Sequence, residues 1–211
     1  MTLKRFLDVI VSSVTLLLLS PVLSVVALAV WLDSGSPVLF HQERVGLWFR
    51  RFCILKFRTM QVQVAGPLVT VANDARITRL GKLLRLAKLD ELPQFWNVLC
   101  GDMSLVGPRP EVPEYVDLFK DRYCRILEVR PGITDLASIH FRNEEALLGT
   151  SQEPLREYTE RILPIKLDLA EEYVRTHTTL GDVSILLRTA AVVVRELYHR
   201  SELPVKAASH N

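Results

Sequence analysis

Cysteine is scarce: Cys53, Cys100 and Cys124 are an odd number, with no C-x-x-C spacing. That fits free thiols in a reducing compartment better than a disulfide framework. The five histidines form no H-E-x-x-H or similar cluster, so no zinc centre is expected. An excess of one charge is also missing. Lys and Arg number 26 against 24 Asp and Glu, a formal +2 that argues for no nucleic-acid partner. There is no internal repeat and no low-complexity block. What is present is 211 residues, 49% of them hydrophobic, enough for one domain or one domain plus an anchor.

The apolar residues are concentrated. Lys4 and Arg5 precede an uncharged run from Val9 to Leu32. As straight helix it would reach about 36 Å, against about 30 Å of hydrocarbon core. Three readings compete. One is a spanning helix. Another is a cleaved signal peptide, since Ala27-Leu28-Ala29 resembles an A-x-A site. The third is a re-entrant helix that leaves by the side it entered. Ser20-Pro21 in mid-run favours the third, because proline removes an i to i−4 hydrogen bond and bends a helix. Basic residues on both flanks, with Arg44, Arg50, Arg51, Lys56 and Arg58 following, favour it too, since positive flanks stay inside.

Asp33 to Pro37 is turn chemistry. Val38 to His41 and Phe52 to Phe57 read as the strands of a hairpin, with Gly46 at its turn. Trp48 and Phe49 beside Arg50 and Arg51 make an aromatic-basic tip, suited to headgroups or to plain solvent. Lys56 and Arg58 are two apart and would share a strand face, where paired cations can hold a diphosphate. A short strand at Leu68 to Val71 is expected, and Asn73 or Asp74 as the next helix cap. Arg76, Arg79, Lys82, Arg85 and Lys88 then alternate with leucines. This basic amphipathic stretch fits an anionic membrane surface or a solvated helix face.

Lys88 to Pro110 carries the densest chemistry: KLDELPQFWNVLCGDMSLVGPRP. Pro93 suits a first helical turn, which places Asp90 and Glu91 at a helix N-terminus with Phe95 to Leu99 as the body. Carboxylates there should stay ionised, as a nucleophile or metal ligand would. Asp90 as a simple N-cap is the competing reading. Arg109 stands between two prolines that restrict its backbone, and arginine suits two-pronged phosphate recognition; a salt bridge within the turn is the alternative. Glu114 to Val129 reads as a helix packed by Val116, Phe119, Tyr123, Ile126 and Leu127. Gln152 to Arg161, Pro164 to His177 and Val183 to Leu197 read as further helices, the last amphipathic and broken by Arg188 and Arg195.

The run from Leu89 to Pro110 resembles the signature of the bacterial sugar transferases, the small monotopic phosphoglycosyl transferases. Other pieces of that pattern stand in order. They are Gln42-Glu43-Arg44-Val45-Gly46, Lys56-Phe57-Arg58-Thr59-Met60, Ile77-Thr78-Arg79-Leu80-Gly81 and Arg130-Pro131-Gly132-Ile133-Thr134. The resemblance implies transfer of sugar-1-phosphate from a UDP-sugar to undecaprenyl (polyprenyl) phosphate with release of UMP. It assigns Asp90 as covalent nucleophile and Glu91 as the Mg²⁺ ligand. Lys56, Arg58, Arg85, Arg109 and Arg142 become substrate-binding residues. It implies a bacterial inner (cytoplasmic) membrane location, with lipids as partners and the catalytic domain on the cytoplasmic face. The oligomeric state is left open.

The expected fold is α+β and mostly helical. Residues 1–32 form a re-entrant helix-break-helix anchor marked by Lys4, Arg5, Ser20 and Pro21. A compact catalytic domain with a small β-hairpin and amphipathic interfacial helices fills 33–200, and 201–211 is a tail. The chain departs from the family pattern at Lys88, where a small hydroxyl residue is usual, and at Asp135, where glycine is usual. The segment 135–141 is atypical too. Asp168 matches a family carboxylate but reads more simply as a surface or capping residue, and His140 as structural. Two other classes stay open: a non-catalytic membrane-associated adaptor, and a membrane-bound hydrolase using the Asp-Glu pair.

Overall fold

The computed structural model describes residues 2–61, 69–72 and 74–208. It is mostly helical, with two small two-stranded sheets among the described residues. Helix α1 runs from Leu3 to Ser34, capped by the Thr2 side chain and closed at Gly35, whose φ of 75° suits glycine. It is the one described helix long and apolar enough to cross a membrane, with a mean hydropathy of 2.4 over its best window.

Where a break was expected, α1 continues helical through Pro21. Proline there deprives the Leu17 carbonyl of its usual N–H partner. The Ser20 hydroxyl donates to that carbonyl at 2.8 Å instead, and Ser24 donates to the Ser20 carbonyl at 2.9 Å. The Ser-Pro pair thus repairs in one place what it removes. That matters most in lipid, where no water can replace the lost partner.

Both ends of α1 are fixed to the same domain. Near its start, the Asp8 carboxylate is buried and accepts from the Leu105 N–H at 3.1 Å and the Ser104 hydroxyl at 2.9 Å. Lys4 pairs with Asp182 and donates to the Val106 carbonyl and the Tyr173 hydroxyl. Near its end, Val26 and Val30 pack with Phe57 and Leu84. Between those ends Val14, Leu17, Leu18, Val22 and Val25 are exposed.

The expected hairpin forms, with its first strand running to Val45 rather than ending at His41. Strand β1 (Leu39–Val45) pairs antiparallel with β2 (Arg51–Phe57), in register from Leu39 opposite Phe57 to Val45 opposite Arg51. The left-handed positions of its tip are Trp48 and Phe49, at φ 53° and 61°, rather than Gly46. Helix α2 (Arg79–Leu86) starts at Thr78, whose hydroxyl accepts from the Gly81 N–H at 2.9 Å. Of the expected caps, Asp74 instead grips Arg76, and Asn73 lies outside the described residues, as does Leu68. Gly81 is obligatory in this packing, since a Cβ there would stand 2.2 Å from the Thr59 carbonyl oxygen.

One 3₁₀ turn at Leu89–Glu91 leads to α3 (Gln94–Cys100). Strand β3 (Ser104–Val106) pairs in parallel with β4 (Gly132–Thr134), a sheet that no local pattern announced. Between them, the expected single helix is two, α4 (Pro113–Leu118) and α5 (Lys120–Ile126), broken at Phe119. Its packing residues are as expected: Val116, Tyr123, Ile126 and Leu127 are buried and Phe119 leans on the cluster. Short helices α6 (Leu136–His140), α7 (Glu144–Gly149) and α8 (Pro154–Glu157) follow. A π-turn at Tyr158–Ile162 joins α8 to α9 (Leu163–Thr176), and α10 runs from Thr179 to Ala208, past the expected end at Leu197.

Asp8 offers a direct test of the docking of α1. Asp8→Ala leaves the buried Leu105 N–H without its acceptor and should cost about 1–3 kcal/mol. Denaturant unfolding in detergent micelles measures this; an unchanged midpoint would show that α1 is held elsewhere.

Candidate active site

The site is built by three short segments meeting beside β2. Lys88 adopts a left-handed conformation at φ 56°, turning the chain out of α2 into the 3₁₀ turn that carries Asp90 and Glu91. Such a backbone is unusual for a residue with a side chain. Neither carboxylate caps α3, whose N-terminal position is Pro93 without a side-chain cap. The N-cap reading of Asp90 is therefore not what the structure shows. Asn97 of α3 locks this segment to the hairpin, accepting from the Leu55 N–H at 3.0 Å and donating to the Cys53 carbonyl at 2.8 Å.

Glu91 is clamped. Arg109 donates to it through both terminal nitrogens, at 2.6 and 3.4 Å, and Lys56 stands 3.3 Å from its Oε1. Lys56 comes from β2, opposite Phe40. Arg109 is held in turn by its own backbone N–H, which donates to the buried Asp135 carboxylate at 3.0 Å. The other Asp135 oxygen caps α6 through the Ser138 N–H at 2.6 Å. Asp90 is different. It is buried, and its Oδ1 has no hydrogen-bond partner.

These environments push the two carboxyls apart. Burial raises the pKa of Asp90, and the neighbouring Glu91 charge raises it further, against the opposing pull of Lys56, Lys88 and Arg85. Burial alone would raise Glu91 too, but Arg109 and Lys56 hold it well below the usual carboxylate range. Burial lowers the Lys56 pKa, with Glu91 working against it, while Glu91 raises that of Arg109. The expectation that carboxylates here stay ionised is favoured at Glu91 and opposed by burial at Asp90.

A cavity of about 1070 Å³ opens onto this pair. All the expected substrate-binding residues line it: Lys56, Arg58, Arg85, Arg109 and Arg142. Their attachments differ. Arg58 lies just beyond β2 rather than on its face. Its Nη2 donates to the carbonyls of Ser34 and Gly35, both at 2.6 Å, and to the Ser34 hydroxyl at 2.9 Å. Arg58 therefore caps the end of α1. Arg85 bonds the Thr59 hydroxyl at 2.9 Å and Glu145 at 2.8 Å. Asp168 lies outside the cavity lining, on the surface, paired to Arg122 at 2.6 Å. His140 packs edge-on against Phe141.

Several residues that hold the site were given no such role from the sequence. Asn97 and Asp135 position the dyad and Arg109. Glu111 is buried at the cavity wall, accepting from the Tyr158 hydroxyl at 2.8 Å and paired with Arg44 at 3.4 Å. Among the described residues no cluster of three or more His, Cys, Asp or Glu side chains could hold a metal alone.

The site joins a buried carboxylate with one unpartnered oxygen, a clamped carboxylate, and cations around a cavity of about 1070 Å³. Comparison with known proteins gives the chain a family. The family model described as bacterial sugar transferase matches residues 1–196, and the chain belongs to that family. It is 40% identical over 191 residues to a UDP-glucose:undecaprenyl-phosphate glucose-1-phosphate transferase of Caulobacter vibrioides, covering 88% of this chain and 67% of that protein. A protein of the same name from Escherichia coli is 39% identical over 193 residues, 89% of this chain and 39% of its own length. A UDP-N-acetylgalactosamine-undecaprenyl-phosphate N-acetylgalactosaminephosphotransferase of Aeromonas hydrophila is 44% identical over 142 residues, 64% of this chain and 33% of its own. The chain thus spans well under half the length of two of these three relatives.

The raised pKa of Asp90 has a consequence for stability. A carboxyl whose folded pKa lies above its unfolded value of about 3.8 weakens the fold once ionised. Asp90→Asn should therefore be more stable than the parent at neutral pH. The gain should shrink as pH falls through the folded pKa and vanish below the unfolded one. Thermal unfolding across a pH series would show this, and a parent as stable as the variant at neutral pH would refute it.

Proposed function

We propose that the protein transfers sugar-1-phosphate from a UDP-sugar to undecaprenyl phosphate, releasing UMP, with Asp90 as covalent nucleophile. The observation that carries the reading is the division of labour in the dyad. Glu91 is tied to Arg109 and Lys56, while Asp90 has an oxygen with no partner beside the cavity. A more basic carboxylate is also the stronger nucleophile once ionised. The relatives' names supply the donor and acceptor classes. Those names include both glucose and N-acetylgalactosamine, so they leave the sugar of this chain open.

An Asp90 carboxylate oxygen attacks the donor β-phosphorus, and the bond from that phosphorus to UMP breaks. The product is an aspartyl-phosphosugar. A phosphate oxygen of the lipid then attacks the same phosphorus, restoring the carboxylate and forming the lipid diphosphosugar. Lys56 and Arg109 neutralise charge on the transferring group. The donor set also fits Mg²⁺, which takes one or two protein carboxylates and completes its shell with phosphates and waters. Glu91 would hold it, with the unpartnered Asp90 oxygen adjacent. When bound, the ion supplies further neutralisation of the diphosphate.

We further propose that α1 is re-entrant and that the domain faces the cytoplasm at the inner membrane. Lys4 and Asp8 near one end of α1, and Val30 and Ser34 near the other, bind one domain. A helix that crossed the bilayer would put those ends on opposite sides. The exposed apolar middle is then the part in lipid, and the basic flanks set the side.

Single cysteines at Thr2 and Ser34, in a variant lacking the native three, should both react with an impermeant thiol reagent in inverted vesicles. Protection of one of them there would establish a spanning helix.

The chemistry is tested without lipid. Enzyme, UDP-sugar and Mg²⁺ should exchange labelled UMP into UDP-sugar and give a phosphosugar adduct by intact mass. Asp90→Asn should lose both by at least about 10³-fold while remaining folded. A folded Asp90→Asn protein with full exchange would remove Asp90 from the chemistry.

A further inference from the structure

Arg58 stands apart from other cations of the cavity. Lys56, Arg85 and Arg109 each meet a carboxylate. Arg58 is 4% exposed, and the bonds it makes go to neutral oxygens. All run from Nη2, to the Ser34 and Gly35 carbonyls and the Ser34 hydroxyl. Nε and Nη1 are buried with no hydrogen-bond partner. A guanidinium can donate from all its nitrogens, and here only Nη2 does so. A buried charge with unspent donors is unfavourable until an anion completes it. Capping α1 uses Nη2 alone and does not account for the other two nitrogens.

The position of Arg58 says which anion fits. Its Nη2 holds the last turn of α1, and in that turn Trp31 and Leu32 are exposed. Where α1 is a membrane anchor, this end lies at headgroup level, where tryptophan is enriched. The cavity wall around Arg58 is apolar. The Arg58 N–H donates to the Val38 carbonyl at 2.9 Å, and the neighbours of Val38, Pro37 and Leu39, line the cavity. Phe57 and Met60, on either side of Arg58 along the chain, and the half-exposed Phe40 line it as well. We propose that Arg58 binds the phosphate of the lipid acceptor, with the first part of the hydrocarbon chain against this wall. The site takes a phosphate monoester on an apolar chain. The proposal rests on the transferase reading and on α1 as the anchor.

The donor diphosphate is the other phosphate in the reaction, and two observations assign it elsewhere. Lys56 and Arg109 gather at Glu91, beside the carboxyl that attacks the donor in the proposed reaction. A nucleotide sugar also has no hydrocarbon to set against Pro37, Leu39 and Phe40. Arg58 follows Lys56 by two residues, at most about 7 Å of chain. A phosphate on Arg58 can therefore stand next to a phosphosugar on Asp90 without taking the cations that hold it. Both unpartnered nitrogens are covered, so the wall must part as the phosphate enters, and the unbranched Met60 side chain suits such movement. The two cations expected to share one diphosphate are thus divided: Lys56 serves the donor and Arg58 the acceptor.

Arg58→Lys keeps a cation to cap α1 but lacks the spare donors. The full chain is placed in nanodiscs, and two rates are read from one preparation with UDP-glucose and UDP-N-acetylgalactosamine as donors. One is exchange of labelled UMP, which needs no lipid acceptor. The other is transfer to undecaprenyl phosphate. The acceptor KM should rise at least about 10-fold, and the ratio of transfer to exchange at low acceptor should fall with it. Equal losses of exchange and transfer would overturn the proposal, since Arg58 would then serve the donor or the fold. Phe40→Ser leaves the cap intact and should also raise the acceptor KM; an unchanged value would take the chain off this wall. Binding of tritiated undecaprenyl phosphate without donor should weaken in Arg58→Lys by the same factor. Displacement of that probe by inorganic phosphate, or by phosphatidylglycerol, as readily as by unlabelled undecaprenyl phosphate would reassign Arg58 to a free phosphate or to a bilayer headgroup. Arg58-dependent binding in a protein that exchanges no UMP would end the transferase reading and leave the site standing.

Discussion

The Lys4 ammonium, held by Asp182, the Val106 carbonyl and the Tyr173 hydroxyl, is the contact on which the arrangement of the molecule turns. It fixes the start of an apolar helix to a strand that leads into the site. Asp8 bonds the same strand one residue earlier, at Leu105, and Arg109 follows three residues after Val106. Arg5 caps the other segment of the site, donating to the Val98 and Leu99 carbonyls at the end of α3. At the far end of α1, Arg58 binds Ser34 and Gly35 two residues after Lys56. Each segment that supplies a group to the dyad is thus within a few residues of a bond to α1. In the proposed reaction, whose acceptor is a lipid phosphate, that wiring would tie the height of Asp90 to the position of α1.

The dyad shows how neighbours in sequence come to differ in chemistry. Both carboxyls are buried, and burial alone would raise both. The difference is the clamp from Arg109 and Lys56, which meets Glu91 and leaves an oxygen of Asp90 unbonded. The charge that the clamp keeps on Glu91 then helps raise its neighbour. Paired acids with separated pKa values are a recurring way for one site to hold two roles.

The hairpin, the long apolar helix and the Leu89–Pro110 segment were legible because their signals are local. Alternation, composition and turn residues all act within a few positions. What escaped depends on distance along the chain. Asp8 reads as an ordinary charge at the edge of an apolar run, yet its partners are Ser104 and Leu105. Asp135 reads as a departure from a glycine, yet it holds the Arg109 backbone. The parallel pairing of β3 with β4 needs Gly107 and Gly132 to touch, since a Cβ on Gly132 would lie 2.1 Å from the Gly107 nitrogen. Each glycine alone looks like a turn. At Pro21 the Ser20 hydroxyl bonds the carbonyl that the proline frees, and the helix runs on through the position where a break was expected.

Five of the cations around the cavity are paired with acids. Arg109 and Lys56 are paired with Glu91, Arg85 with Glu145, Lys166 with Glu144 and Arg44 with Glu111. A buried cation without a partner would be costly, so these acids offset the charge gathered at the cavity. They also change what binding means. A diphosphate bound as proposed would exchange partners with carboxylates already in place. The exchange is easiest at Arg85, because Glu145 is half exposed and can return to water. It is hardest at Arg109, where Glu91 is buried and bonded twice. For the proposed substrate this would order the contacts: Arg85 would release its acid to a phosphate, whereas Arg109 would keep Glu91 and meet the phosphate with its remaining donors. Glu91 would then stay charged and in position beside Asp90 while the substrate is held.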